Sequence, residues 1–487
     1  MKIVLINPGT LPIYSQHEPL NLGFIAAYLE KNSVSVKIID QLAGENIEQE
    51  IIKYKPDVAG ITATTPVVPE AYKIADFCRR QKILTVIGGV HASVMPEEAI
   101  KHADVVVQGE GEIAMLDIAA GRIKQGIHRG DYIKNLDDVP LPARHLMKMD
   151  FYIETRKRIP YNVHLSSLPR NSRVGHLLTS RGCSHGGCIF CHNTWKNAPC
   201  RWDSAEKIIS EITYMKKNYG IDAIYYMDDN FLADRDRTVK LCEFIRRNKL
   251  ENIVWGTATR VETVDKEILS VIKSAGCRLL NFGFESGSQR ILDILNKGAK
   301  VEQAQDAVRM CREAGIIPHG TFIIGSPTET LEDIELTKRF IAKNDIASPL
   351  IGFLTPYPGT QYWNMLESKG LLPEKHEDID WESLTQERVV INTSMIPTEK
   401  LRKMRTLMYL EYFMRHRGEA AKLMFNMISN PVASAIKIKN TIAPVVTPAM
   451  DSAIVRGLAR LFARMLAPAV NLLKKVFGND KEKRASR

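Results

Sequence analysis

"SRGCSHGGCIFCHNTW", residues 180–195, places Cys183, Cys188 and Cys191 within nine residues, with His185 and His192 among them. The strand-like run "VGHLLTS", residues 174–180, leads directly into it. Further strand-like runs follow: "AIYYMDD", "IVWGTATR", "LLNFGFES", "PHGTFIIGSP" and "PLIGFLTPYPG". Between them lie amphipathic helical stretches such as "SAEKIISEITYMKKNY" and "EQAQDAVRMCREAG". Strands that each lead into a helix build parallel βαβ units, so residues 174–395 read as a partial or full (β/α) barrel. Chemistry in such barrels belongs at the carboxyl ends of the strands. The cysteine cluster follows the first strand and so stands where an active site is expected.

The same alternation runs through residues 1–135, with strands expected in "KIVLINP", "SVKIID", "DVAGITATT", "LTVIGGVHAS" and "DVVVQGEGE". This predicts a doubly wound, Rossmann-like α/β domain, whose ligand sits beyond the carboxyl ends of the strands. Pro8, Thr62, Thr64, Gly88, Gly89, His91, Ser93, Gly109 and Glu110 occupy those ends, and the glycines allow backbone to approach a ligand closely. Residues 136–173 are rich in proline and charge with weak periodicity, and read as a linker. Beyond residue 396 the pattern is helical to residue 487.

A chain of 487 residues exceeds what one core organises, consistent with this division. Eight cysteines, three of them crowded together, suit a metal site in a reducing, cytoplasmic compartment rather than a disulfide framework. The amino terminus reads as a first strand and not as a signal peptide. No uninterrupted apolar stretch reaches the roughly 18 residues that argue for a membrane span. The net charge of +10 is uneven: residues 401–487 hold 17 Lys and Arg against 5 Asp and Glu. The body therefore needs no polyanionic partner, and nucleic acid is a poor fit. In "SAIVRGLARLFARMLAPAVNLLKKVF", residues 452–477, Arg456, Arg460 and Arg464 form one stripe opposite Leu458, Leu461, Phe462, Met465 and Leu466. Such a helix is suited to lying on a membrane surface, here the inner face, or to packing on the barrel.

Two readings of the cysteines stand. Zinc takes four ligands, and Cys200, His185 or His192 can supply the fourth. An iron–sulfur cluster held by three cysteines leaves one iron open to another ligand, and the position after a barrel strand favours it.

With "MDDNF" (227–231), "FGFESGSQRIL" (282–292), "TFIIGSPTET" (321–330) and "TPYPGT" (355–360) in order behind the cysteines, the chain resembles radical S-adenosylmethionine (SAM) enzymes of the cobalamin-binding class. "GGVHAS" (88–93) and "VVVQGEGE" (105–112) resemble that family's cobalamin-domain signatures, and the resemblance covers roughly residues 1–395. It implies a 4Fe-4S cluster on Cys183, Cys188 and Cys191, whose open iron chelates SAM, and a 5′-deoxyadenosyl radical that attacks an unactivated carbon. It also implies SAM contacts from Phe190, Asp228 or Asp229, Arg260, Glu285, Ser286, Ser288, Ile324 and Gly325, and cobalamin at the front-domain strand ends. The family's lower-ligand pattern Asp-x-His-x-x-Gly is missing, since Leu42 follows Asp40 at the histidine position, so cobalamin is expected without that ligand. The cysteine spacing is one residue longer than the family's usual motif, and Gly186 with Gly187 can absorb the extra residue.

The expected activity is methyl transfer to a hydrophobic substrate (lipid, isoprenoid or tetrapyrrole), with a one-electron donor such as a flavodoxin or ferredoxin. Cobalamin-assisted cyclisation or oxidation is the alternative within the class, and a non-catalytic corrinoid-binding protein the alternative outside it. A methylthiotransferase would need three more cysteines in the front domain, where only Cys78 stands.

Overall fold

The apolar run Ile3–Ile6 is at most 1% exposed, as a strand covered on both faces must be. In the computed structural model, which describes residues 1–9, 17–154, 167–169, 171–193, 199–375 and 378–418, this run forms β1 (Lys2–Asn7). Five strands join it: β2 (Ser35–Asp40), β3 (Val58–Thr62), β4 (Leu84–Gly88), β5 (Val105–Gln108) and β6 (Gly126–Arg129). They form one parallel sheet in the order β2-β1-β3-β4-β5-β6. The order reverses at β1, which opens a crevice beyond the carboxyl ends of β1 and β3. The sixth strand has no apolar run, "GIHR", and owes its conformation to pairing with the β5 edge.

The second sheet begins at β7 (Val174–Leu177), just before the cysteines. The short strands β8 (Ser180–Arg181) and β9 (Arg201–Trp202) pair antiparallel as a separate ribbon. Then come β10 (Ala223–Tyr226), β11 (Val254–Thr259), β12 (Cys277–Glu285), β13 (Ile317–Ile324) and β14 (Ala347–Phe353). The sheet order β14-β13-β12-β11-β10-β7 is sequential and wholly parallel, and β14 does not pair with β7. The architecture is therefore a partial barrel of six strands. On β12, Phe282 stacks on Phe284, whose ring also meets Phe322, and Phe340 of helix Leu331–Lys343, at a tilt. Strand alternation then turns Asn281, Gly283 and Glu285 to the opposite, concave face.

Both sheets belong to one compact unit, residues 1–155 and 163–395. The segment expected as a linker contains 3-10 turns at Leu136–Asp138 and Arg144–Leu146 and a short helix, Met149–Ile153. Its Arg144 is fully buried and donates to Glu211 Oε1 (2.6 Å) and to the His176 carbonyl (2.7 Å), with Glu18 Oε1 3.5 Å away. His176 Nδ1 in turn lies 2.9 Å from Glu18 Oε2. This network joins the segment before the first helix, the linker, β7 and helix Ala205–Tyr219, and so fixes one sheet against the other.

A second unit comprises residues 156–162 and 396–487, and its described structure includes the helix Thr398–Arg415. The arginine-striped stretch 452–477 lies outside the described residues. Among the described residues no helix is long and apolar enough to cross a membrane.

Candidate active site

The crevice of the first sheet is a cavity of about 870 Å³. Of the residues expected at the strand ends, Thr62, Thr64, Gly88, Gly89, Ser93, Gly109 and Glu110 line it. Gly89 has φ +92°, and a Cβ there would fall 2.8 Å from both the Ala63 carbonyl and Thr62 Oγ1, so backbone turns where no side chain fits. The Ser93 hydroxyl donates to the Gly89 carbonyl (2.7 Å) and accepts from the Gly109 N–H (2.9 Å), tying the loop after β4 to the loop after β5. Pro8 and His91 are not on the wall. His91 is fully buried, with Nδ1 3.2 Å from Thr65 Oγ1, Nε2 3.6 Å from Glu98 Oε1 and its ring 4.8 Å from that of Trp381. It supports the wall from behind instead of facing a ligand.

The opposite side of the cavity is the cysteine loop. Because β8 pairs with β9, the loop returns to its starting point, and Cys183, Ser184, His185, Gly186, His192 and Asn193 all face the cavity. The ribbon is bolted to the first sheet by charge. Arg201 Nη1 donates to Glu110 Oε2 (3.1 Å) and the Ile133 carbonyl (2.6 Å), while Arg181 reaches Glu110 (3.0 Å) and Glu112 (2.6 Å). Burial alone would raise the Glu110 carboxyl, but Arg201 and Arg181 hold it below the ordinary range. Neither arginine stands out in the sequence, since the partners lie about 70 and 90 residues away along the chain.

Gly186 adopts φ +57°, which accommodates the extra residue between Cys183 and Cys188. The lengthened loop is braced by residues 295–298: His185 Nε2 donates to the Asn296 carbonyl (2.9 Å), Asn296 Nδ2 to the Gly187 carbonyl (2.7 Å), and the Ile189 N–H to the Leu295 carbonyl (3.1 Å). Cys188 is buried, and the Cys191 N–H donates to its carbonyl at 3.0 Å. Burial raises the Cys188 thiol and pushes that of Cys191 up to about 11. Among the described residues no three His, Cys, Asp or Glu side chains converge as a single metal ion requires. A cuboidal cluster takes one thiolate per iron, so three spaced thiols on one loop, with cations beside them, fit it.

The two adjacent carboxylates go to different places. Asp228 is buried and accepts from Thr179 N and Oγ1, both at 2.7 Å, with Arg237 at 3.8 Å. Asp229 lines the cavity and accepts from Asn193 Nδ2 at 2.9 Å. Asn230, not singled out in the sequence, donates to Ser184 Oγ (3.1 Å) and accepts from Thr259 Oγ1 (2.9 Å) and the Arg260 N–H (3.2 Å). Arg260 pairs with Glu262, donates to the Lys297 carbonyl (2.6 Å) and places Nη1 4.0 Å from Cys188 Sγ. Glu285 is paired with Lys297 at 2.7 Å. Ser286 Oγ lies 3.1 Å from Thr337 Oγ1, and Ser288 Oγ donates to Asp333 Oδ1 (2.6 Å), so the hydroxyls of "ESGS" are engaged with helix Leu331–Lys343. Gly325 follows the buried end of β13 at Ile324 with φ +87° and donates its N–H to Glu329 Oε2 at 2.5 Å. Phe190 packs against the apolar cluster of Ile291, Leu295 and Tyr362.

Comparison with known proteins bears directly on this arrangement. Residues 177–341 match the Radical SAM superfamily and residues 7–119 the B12 binding domain. An uncharacterized methyltransferase of Pyrococcus horikoshii is 31% identical over 449 residues, covering 85% of this chain and 93% of that protein. The chain belongs to the cobalamin-binding radical SAM enzymes. An anaerobic magnesium-protoporphyrin IX monomethyl ester cyclase of Rubrivivax gelatinosus is 25% identical over 401 residues, covering 76% of this chain and 70% of that one. The fold is also that of the cobalamin-dependent S-adenosylmethionine radical enzyme OxsB, solved with aqua-cobalamin and S-adenosylmethionine bound, with a TM-score of 0.69 at 16% identity over 97% of this chain and 81% of that one. The two matched domains give this radical SAM enzyme its cofactors: a 4Fe-4S cluster, SAM and cobalamin.

Proposed function

We propose that this enzyme transfers a methyl group to an unactivated carbon of a small molecule, with Cys183, Cys188 and Cys191 holding the cluster and the cavity beyond β3, β4 and β5 holding cobalamin. One observation carries this reading: Thr62, Gly88, Gly89 and Gly109 share a single cavity with Cys183, Ser184 and Gly186. Bound there, the cofactors supply a deoxyadenosyl radical and a transferable methyl group. The chain's own residues orient and enclose them. Gly89 gives close approach to one face, the Arg181 and Arg201 pairs with Glu110 hold the two walls at a fixed separation, and Asp229 offers a carboxylate on the cavity beside the cluster loop. Arg260 stands off the cavity wall beside Cys188 and holds the carbonyl of Lys297, the partner of Glu285.

A tetrapyrrole or another hydrophobic molecule is the substrate class we favour, supported by the relative that acts on magnesium-protoporphyrin IX monomethyl ester. The same relative supports ring closure as a second reading. The electron donor is proposed to be a flavodoxin or ferredoxin, and the basic residues 401–487 to favour an anionic membrane surface.

The test is anaerobic purification with cobalamin supplied, followed by iron, sulfide and cobalt analysis and a SAM-cleavage assay. Four irons, one cobalt and release of 5′-deoxyadenosine are expected, and Cys188→Ala abolishes cleavage. Zinc without iron, or cleavage retained by Cys188→Ala, overturns the cluster assignment. SAM labelled in its S-methyl group separates the two reactions, since the label enters the product of methyl transfer and is missing from the product of ring closure.

A further inference from the structure

Residues 359–363 follow β14 by a short turn, at the end of the barrel where its chemistry collects, and they touch both walls of the cavity. Gly359 has φ +77°, and a Cβ there would fall 2.4 Å from Val94 Cγ1 and 2.9 Å from Val94 Cβ. Val94 ends the short helix Val90–Val94, whose Val90 and Ser93 line the cavity proposed for cobalamin. Three residues on, the Tyr362 N–H donates to the Ile189 carbonyl at 2.8 Å, and Ile189 stands between Cys188 and Cys191. Ile189 and Phe190 also pack on the apolar group that contains Tyr362 and Leu366. Trp363 adds a second hold on the first wall: its ring stacks on Trp381 at 6.0 Å, and Trp381 meets the ring of His91 at 4.8 Å. The turn itself is tied down. Thr360 is fully buried, and its hydroxyl donates to the Tyr357 carbonyl (2.7 Å) and accepts from the Trp363 N–H (3.1 Å), capping helix Gln361–Ser368.

We propose that residues 359–363 are a spacer that sets the separation between cobalt and the iron–sulfur cluster. The inference rests on the proposed reading of the cavity and of the three cysteines. A radical formed beside the cluster and a methyl group carried by cobalt have to meet the same substrate carbon, and a misplacement on the order of 1 Å can cost such a reaction about 100-fold. Arg181 and Arg201 hold only the two ends of the cysteine loop, on β8 and β9, whereas Tyr362 holds its middle. Gly359 and Trp363 tie that same short segment to the cobalamin wall, and close packing passes a displacement on instead of absorbing it. Gly359, Trp363 and Trp381 are positioning residues that act through Val94 and His91 without reacting.

The experiment is pulsed EPR of the full-length protein, reconstituted with iron, sulfide and cobalamin and reduced until cob(II)alamin and the cluster are both paramagnetic. It reads the distance between the two spins, and iron and cobalt are counted first. In Gly359→Ala the new Cβ lies about 1 Å inside ordinary carbon–carbon contact, and rotating the Val94 side chain does not clear its own Cβ. The spin–spin distance is expected to shift by about 1 Å, or its distribution to broaden, at wild-type iron and cobalt content. Adding Val94→Ala removes the closest contact and should return the distance part of the way, whereas backbone strain at φ +77° would persist in the double variant. A wild-type distance in Gly359→Ala with both cofactors in place, or no recovery in the double variant, overturns the proposal. If Gly359→Ala fails to hold both cofactors, Val94→Ala alone decides: a broader distribution supports the spacer and an unchanged one refutes it. Wild-type protein that takes up no iron or no cobalt would instead sink the assignment of the site, a separate failure.

Discussion

Replacing Arg144 by methionine should destabilise the two-sheet unit by about 3–5 kcal/mol, the usual consequence of removing one partner from a buried ion network. Methionine fills much of the volume but leaves Glu18 (1% exposed) and Glu211 (0% exposed) without the guanidinium that separates them. The magnitude can be approached from Glu18 itself. Burial would raise its pKa, yet His176 and Arg144 hold it at about 2 against an ordinary 4.5. At about 1.4 kcal/mol per pH unit, that corresponds to roughly 3 kcal/mol of stabilisation of the charged form, the larger share from His176 and the remainder from Arg144. This stabilisation is fully present above pH 4.5 and is lost as the pH falls towards 2. The assay is urea denaturation of wild type and variant, followed by circular dichroism at pH 7 and again near pH 4. The denaturation midpoint should drop clearly at pH 7, and the gap should narrow at the lower pH as the glutamates of the variant take up protons. Arg144→Met combined with Glu211→Leu should recover part of the loss, since two apolar groups tolerate burial better than one stranded charge. An unchanged midpoint at pH 7, or a gap that widens in acid, would refute the assignment of this network as the joint between the sheets.

Gly89→Ala should lower cobalt content while leaving iron intact, because its φ of +92° and the 2.8 Å contacts to residues 62 and 63 impose strain on the wall proposed to hold cobalamin and not on the cysteine loop. Strain of about 1–3 kcal/mol is the usual order, enough for a loss of about tenfold in affinity, and equal cobalt retention would contradict it. Gly186→Val should reduce iron loading more than Gly186→Asn, since φ +57° excludes β-branched residues but tolerates asparagine, and indistinguishable iron contents would count against the strained-loop account. Glu329 is pushed up to about 8 by burial, despite the Gly325 and Ser326 N–H groups that favour its charged form. The folded protein then keeps a proton that the unfolded chain releases above 4.5, so stability falls as pH rises from 4.5 to 8. Glu329→Gln should flatten that slope in melting temperatures taken at pH 5 and pH 8, and an identical slope would disprove it.

The strand-and-helix alternation of both sheets was legible because strand and helix periods are local properties of the chain. The cysteine trio was equally legible, as its ligands lie within nine residues. Less so was β6, whose "GIHR" carries no apolar signal and becomes a strand only because β5 offers an unpaired edge. The linker concealed Arg144, since nothing in its immediate sequence distinguishes a buried arginine from a solvated one.

Sequence by itself determined that two parallel α/β layers are joined in one chain and that three thiols follow the first strand of the second. Both follow from spacing along the backbone. Tertiary structure alone decided that Asp229 faces the cavity while Asp228 turns inward to Thr179, that His91 lies behind the wall, and that Arg260 comes to Cys188. Neighbouring side chains on an extended backbone point to opposite sides, and charges distant in sequence meet only when strands return beside one another. Which side is the site, and which charge meets which sulfur, is therefore fixed by the packing of the sheets and not by the order of the residues.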